Sequence, residues 1–120
     1  MNSLELKTNA RVIKINGRSY RMDFDMEALS QAEQVYFTHY GRNVNISEII
    51  KELSEVKMSA VMALAYGALI SAGNNIEWRT FSKEIFNFAN FENVFDVVEE
   101  AVRAMFESSV DGSGSADSKN

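Results

Sequence analysis

The pattern of apolar and polar positions changes period once along the chain, near Phe24. Between Arg11 and Phe24 the two kinds of residue alternate, which is typical of strands that bury one face. An Asn-Gly pair at 16–17 interrupts this segment, and a tight hairpin turn favours Asn-Gly because both of its central residues need positive φ. The pattern therefore predicts a β-hairpin. The face expected to be buried carries Ile13, Ile15, Tyr20 and Met22.

After the hairpin the period becomes helical. Asp25 is a suitable N-cap for a first helix, and Gly41 is a suitable residue to end it. Asn45 followed by Glu48 resembles a capping box and predicts the start of a second helix. The segment 58–73 is uncharged and apolar on every side, as is expected of a helix at the centre of a bundle.

The last part of the helical region is rich in aromatic residues. Thr80 is the expected N-cap of a short helix, and Asn90 is the expected N-cap of a longer one. Phe86 and Phe88 cannot point the same way, because two residues turn a helix by about 200°. One of them is therefore expected to face a second partner or to lie at a helix junction.

Together these elements predict one mainly α domain. We expect about five helices in a compact bundle, with the N-terminal β-hairpin packed against it, because an isolated hairpin is only marginally stable. The single domain is expected to cover residues 10–108. Residues 1–9 and 109–120 are polar and without period, so both ends are predicted to be disordered.

Composition and charge narrow the classes of function. The chain has no cysteine, which excludes disulfides, thiol nucleophiles and thiolate metal sites, and it has no run of about 18 apolar residues that would predict a membrane span. The net charge of −5 falls wholly in the second half of the chain. A small basic cluster lies on the hairpin, where a solvated face is a better interpretation than a phosphate site. It consists of Arg11, Lys14, Arg18 and Arg21.

The sequence contains little that could carry catalysis. His39 is the only histidine, whereas a zinc site needs several His or Cys ligands. Asp96, Glu99 and Glu100 have helical spacing and neighbour valines, so they are interpreted as the solvated side of an amphipathic helix. We predict no enzymatic activity, no catalytic residue, no cofactor and no metal site.

The aromatic segment offers another kind of site, an apolar groove or dimer seam with a solubilising acidic rim. The alternative is that its aromatic residues all belong to the core. The candidate partner-binding residues are Phe81, Phe91, Phe95 and Val98. Replacement of Phe95 by Asp should abolish partner binding if this residue is exposed, and should unfold the protein if it is core.

The order of these elements resembles that in the tail assembly chaperones of long-tailed bacteriophages and prophages. The resemblance covers roughly residues 10–106 and rests on "INGRSYRMDFDMEAL", "AEQVYFTHYG", "SEIIKELSE" and the Ala-rich "VMALAYGALI". The matching residues are Ile15, Asn16, Gly17, Tyr20, Met22, Phe24, Asp25, Met26, Ala28, Leu29 and Gly41.

This resemblance implies a non-structural assembly factor in the cytoplasm of the bacterial host. Such proteins bind and solubilise the tape measure protein, and a longer form made by ribosomal frameshifting recruits tail tube subunits. Neither nucleic acid nor membrane is an expected partner, and homo-oligomerisation is left open. Two alternatives are a structural virion component, such as a head-tail connector or tail-terminator subunit, and a nucleic-acid-binding regulator that uses the basic hairpin.

Overall fold

A computed structural model describes the backbone of residues 9–117 and the side chains of residues 9–107. The chain begins there with an antiparallel hairpin of β1 (Ala10–Ile15) and β2 (Arg18–Asp23). Asn16 and Gly17 connect the strands with φ of 54° and 81°, the positive values that the Asn-Gly pair predicts. Pairing of Ile13 with Tyr20 sets the register.

One face of the hairpin lies on the helical body. Ile13, Ile15 and Met22 are buried, Tyr20 is half-buried, and Val12 on the opposite face is exposed. The predicted inward face is therefore confirmed. A shift of one residue in register would move every side chain of a strand to the opposite face of the hairpin. The tight turn and the buried isoleucines therefore support the same pairing.

Between the hairpin and residue 117 the structure has five helices, so the predicted mainly α fold is confirmed. They are α1 (Met26–Tyr40), α2 (Ile46–Ser54), α3 (Met58–Ser71), α4 (Trp78–Thr80, continued by a π-helical turn at Phe81–Ile85) and α5 (Phe91–Asp117). The first two begin where the capping residues predict. The Asp25 carboxylate accepts a hydrogen bond from the Ala28 amide at 3.0 Å, and Asn45 and Glu48 form a reciprocal capping box.

The centre of the body is α3, whose buried residues are mostly alanine and leucine. It packs most extensively against α1. A Cβ atom at Gly67 would overlap the carbonyl oxygen of Ala28 and lie 3.2 Å from the amide nitrogen of Ala32. The small residues of the apolar segment therefore allow two helix backbones to approach closely, which confirms its predicted central position.

The junction between α3 and α5 differs from the predicted one. Thr80 lies inside a helical turn, with φ −63° and ψ −44°, and its side chain makes no capping hydrogen bond. Asn90 lies in a single 3₁₀ turn, where its side chain and that of Asn87 each accept a hydrogen bond from the other's backbone amide at 3.0 Å. The capping prediction for Thr80 is wrong, whereas α5 begins at Phe91, directly after Asn90, although the Asn90 side chain bonds back to Asn87. Helical turns begin earlier than these cap preferences indicate, at Trp78 in the first case and at Phe88 in the second, where Asn87 is the capping residue.

The buried apolar side chains of the hairpin and the helices form one core cluster. The backbone of α5 stays helical beyond the boundary predicted at 108, as far as Asp117. Disorder is predicted for residues 1–9 and 109–120. Most of these residues lie outside the range whose side chains the structure describes, so this stays a prediction. Within the described part of the chain, no helix has the length and hydrophobicity needed to cross a membrane.

Candidate functional site

An apolar groove runs between α2 and α5, and we call it the α2–α5 groove. It consists of two adjoining cavities of about 440 Å³ and about 210 Å³, which share Ile50 and Phe106. Its lining is Ile46, Ser47, Ile50, Leu53 and Ser54 from α2, and Glu99, Val102, Arg103, Phe106 and Glu107 from α5.

The spacing of apolar residues explains why both helices contribute to the groove. On α2, the residues at 46, 50 and 53 follow one another at helical spacing and form a single stripe. On α5, Val102 and Phe106 are four positions apart and likewise share a face. Each stripe is wider than its contact with the body, so the outer edge of each is left facing the other across the groove.

The floor of the groove belongs to the core, and its walls do not. Leu53 and Val102 are each 3% exposed and close the bottom. Ile50 is half-buried, whereas Phe106 is 42% exposed and is among the large apolar side chains on the surface. An exposed aromatic residue beside a concave apolar surface is typical of a site that buries part of another molecule.

Charge is distributed unevenly around the groove. All charged lining residues lie on α5, where Glu99 forms an ion pair with Arg103. Glu107 is exposed, and it has no ion pair with any residue in the described part of the chain. The lining residues of α2 outside the apolar stripe are the neutral Ser47 and Ser54. The groove therefore has one acidic edge and one uncharged edge.

A buried polar network holds α2 in place. Glu52 is 8% exposed, and its Oε1 accepts a hydrogen bond from the Tyr36 hydroxyl at 2.8 Å. Its Oε2 accepts one from Nη2 of Arg42 at 2.6 Å. The hydrogen bond from Arg42 lowers the pKa of the Glu52 carboxyl below its ordinary value of 4.5. Because these partners lie on and just after α1, the network fixes the α2 wall of the groove relative to the body.

A strained turn follows directly after α2. Val56 has φ of 59°, in the left-handed region that β-branched residues rarely adopt. Its amide donates a hydrogen bond to the carbonyl of Leu53 at 2.9 Å, and the next amide, from Lys57, donates to the carbonyl of Glu52 at 3.0 Å. This left-handed turn ends α2 abruptly and sets the direction in which the chain enters α3.

The structure separates the four predicted partner-binding residues into two pairs. Phe81 and Val98 are 1% and 0% exposed, so they lie in the core and present no surface to a partner of the folded chain. Phe91 and Phe95 are half-buried, and their rings stack with centroids 6.3 Å apart. None of the four lines the α2–α5 groove. Phe81 is buried because its ring packs against those of Trp78 and Tyr66.

The groove residues Ile50 and Phe106 are not among the predicted site residues, although both belong to the apolar stripes that predict α2 and α5. The sequence contains one indirect signal, an apolar residue at the edge of each stripe. The expected divergence of Phe86 and Phe88 is confirmed, since Phe86 is buried and Phe88 is 90% exposed at the turn before α5.

The other candidate chemical groups are engaged in ordinary surface interactions. His39 is exposed and stacks on Trp78, with ring centroids 4.6 Å apart. On the hairpin, Arg21 pairs with Asp23 at 2.9 Å and Arg18 lies over the ring of Tyr20. Among residues 9–107, no group of three or more His, Cys, Asp or Glu side chains is arranged to hold a metal ion.

Comparison of the chain with protein-family models, with curated proteins and with solved structures finds no match. The features that bear on function are therefore those of the chain itself. Foremost among them is the α2–α5 groove, which has an apolar floor, an exposed phenylalanine and a single acidic edge.

Proposed function

We propose that the chain is a phage tail assembly chaperone that binds and solubilises the tape measure protein during tail morphogenesis. The proposal joins the resemblance of residues 10–106 to this family with one structural observation. That observation is the open apolar groove between α2 and α5, with Phe106 exposed on its wall. The proposed activity is non-enzymatic, and the proposed location is the cytoplasm of the bacterial host.

The length of the α2 wall suits a helical guest of about two to three turns. The nine residues of α2 extend for about 13 Å, which corresponds to between two and three turns of a helix laid alongside. Such a guest would place apolar side chains at i, i+3 or i+4, and i+7 against Ile50 and Phe106. Burial of the apolar surface supplies the free energy of binding, at about 25 cal/mol per Å².

A guest helix of this kind is prone to aggregate when no partner is bound to it. An amphipathic helix with a wide apolar face aggregates unless that face is covered, and a groove with an acidic edge covers the face while keeping the complex charged. The proposal includes a longer frameshifted form of the chain that recruits tail tube subunits, as the resemblance implies.

Co-expression of the chain with a tape measure protein tests the proposed function. Phe106→Asp should leave the tape measure protein in the insoluble fraction, because it places a charge on the apolar wall of the groove. Phe37→Asp is the matched control, since Phe37 is 62% exposed on α1 and lies outside the groove lining. Circular dichroism should give the same helix content for both variants and the unmodified chain.

Two outcomes would contradict the proposal. The first is equal solubilisation of the tape measure protein by the Phe106 and Phe37 variants. The second is the presence of the chain in finished virions by mass spectrometry, which is the outcome expected of a head-tail connector or tail-terminator subunit. An assembly chaperone should be missing from the mature particle.

A further inference from the structure

The charges around the α2–α5 groove specify which guest helix it can accept. Every charged lining residue lies on the α5 edge, and the polar lining residues of α2 are the neutral Ser47 and Ser54. A helix in the groove would therefore have one flank beside charged groups and the other beside neutral ones. The groove should therefore bind a charged flank of the guest differently at the α5 edge and at the α2 edge.

The charge at the α5 edge is negative. Arg103 is already paired with Glu99, so its cation is offset within α5 itself. Glu107, one turn further along the same edge, has no ion pair within the described part of the chain. The described part of α5 has the same sign as a whole, because residues 91–107 contain five acidic side chains and one arginine.

We propose that the α2–α5 groove selects an amphipathic helix with Lys or Arg on the flank that faces α5, and that Glu107 is a specificity-determining residue. This inference rests on the proposed function and adds the chemistry of the guest. The apolar face of the guest enters the groove between Ile50 and Phe106, and its cationic flank pairs with the Glu107 carboxylate. A guest with an acidic flank meets like charge there and is disfavoured.

Three synthetic peptides test the proposal. Each has about 18 residues, long enough to form an amphipathic helix, and all share one leucine face. They differ only on one flank, which carries Lys, Glu or Gln. Binding of each fluorescent peptide to the full chain is measured by anisotropy at low and at high salt.

The Lys peptide should bind about five-fold more tightly than the Gln peptide, and the Glu peptide should bind most weakly. The differences should shrink at high salt, because exposed ion pairs are screened. Glu107→Lys should invert the order, so that the Glu peptide binds best. The matched control is Glu84→Lys, which changes the net charge equally at an exposed position outside the groove and should preserve the original order.

The remaining outcomes separate this inference from the proposed function. Equal binding of the Lys, Gln and Glu peptides would overturn the charge selection and leave an apolar helix-binding groove in place. If Glu84→Lys changed the order of the peptide affinities as much as Glu107→Lys does, the effect would come from net charge. That result would overturn the role of Glu107. Failure of all three peptides to bind would overturn both proposals.

Discussion

The Tyr36 hydroxyl and the Glu52 carboxylate form a hydrogen bond of 2.8 Å that joins α1 to α2 inside the protein. Tyr36 has no exposed surface and Glu52 is 8% exposed, so the hydrogen bond between them is largely shielded from solvent. Because Glu52 belongs to α2, the contact joins the helix that forms one wall of the groove to α1. Stability and the shape of the groove therefore depend on the same pair of side chains.

Replacement of Glu52 by Gln should lower the free energy of unfolding by about 1–3 kcal/mol at neutral pH, because a buried carboxylate that accepts several hydrogen bonds is lost. The folded pKa of Glu52 lies below its ordinary value of 4.5, chiefly through the hydrogen bond from Arg42. Its contribution to stability is thus present above pH 4.5 and is lost as the pH falls through the folded pKa.

Urea unfolding at neutral pH and at steps below pH 4.5 measures this effect. The difference between the unmodified chain and Glu52→Gln should be largest at neutral pH and should shrink with acid. Glu84→Gln, at an exposed position, serves as the control and should leave stability nearly unchanged. A Glu52→Gln difference that does not depend on pH would contradict the assignment.

Alkaline pH should destabilise the fold through its buried tyrosines. Burial raises the pKa of Tyr40 from 10.0 to about 12, and it raises the pKa of Tyr36 further. The stability that these phenols contribute is complete below pH 10 and is lost as the pH rises through their folded pKa values.

Absorbance of the phenolate measures this ionisation directly. In the folded chain, Tyr40 should ionise near pH 12, whereas the urea-unfolded chain should ionise near pH 10. Tyr40→Phe should make the loss of stability between these two values less steep. Ionisation of all tyrosines of the folded chain near pH 10 would show that the phenols are accessible to solvent.

Replacement of Gly67 by Ala should destabilise the protein, against the usual preference of helices. In an unobstructed helix interior, alanine stabilises by about 1 kcal/mol relative to glycine. Here the added methyl group would overlap the backbone carbonyl of Ala28, so a loss of about 2–3 kcal/mol is expected from displacement of α1. Thermal unfolding measures whether the replacement lowers or raises stability. A rise in melting temperature would show that α1 and α3 are not in close contact.

Replacement of Val56 by Asn should stabilise the protein by about 1 kcal/mol, because Asn tolerates the left-handed region better than a β-branched residue. Val56 has φ of 59° and is 47% exposed, so little burial is lost with its side chain. The matched control is Val12→Asn, at an exposed strand position where Val is the better residue. Chemical denaturation should therefore give opposite signs for the two variants, and equal signs would refute the role of backbone strain at Val56.

Local features of the amino-acid sequence were sufficient for the hairpin, its inward face and the first two helix starts. The Asn-Gly turn, the Asp25 cap and the Asn45 capping box each involve only a few consecutive residues, so the local sequence is sufficient to predict them. The uncharged segment likewise had to be central, because no amphipathic face could be assigned to it. The capping rules failed at Thr80, which lies inside a helical turn, and at Asn90, whose side chain pairs with Asn87 in the turn before α5.

The groove depends on how distant parts of the chain are placed relative to one another. Ile50 and Phe106 are separated in sequence by all of α3, all of α4 and much of α5, and periodicity shows only that each lies on an apolar stripe. Whether a stripe is wholly covered depends on the widths, crossing and spacing of the packed helices. For the same reason composition could not distinguish the buried Phe81 from the exposed Phe88. Burial is a property of the assembled core, and only long-range packing sets it.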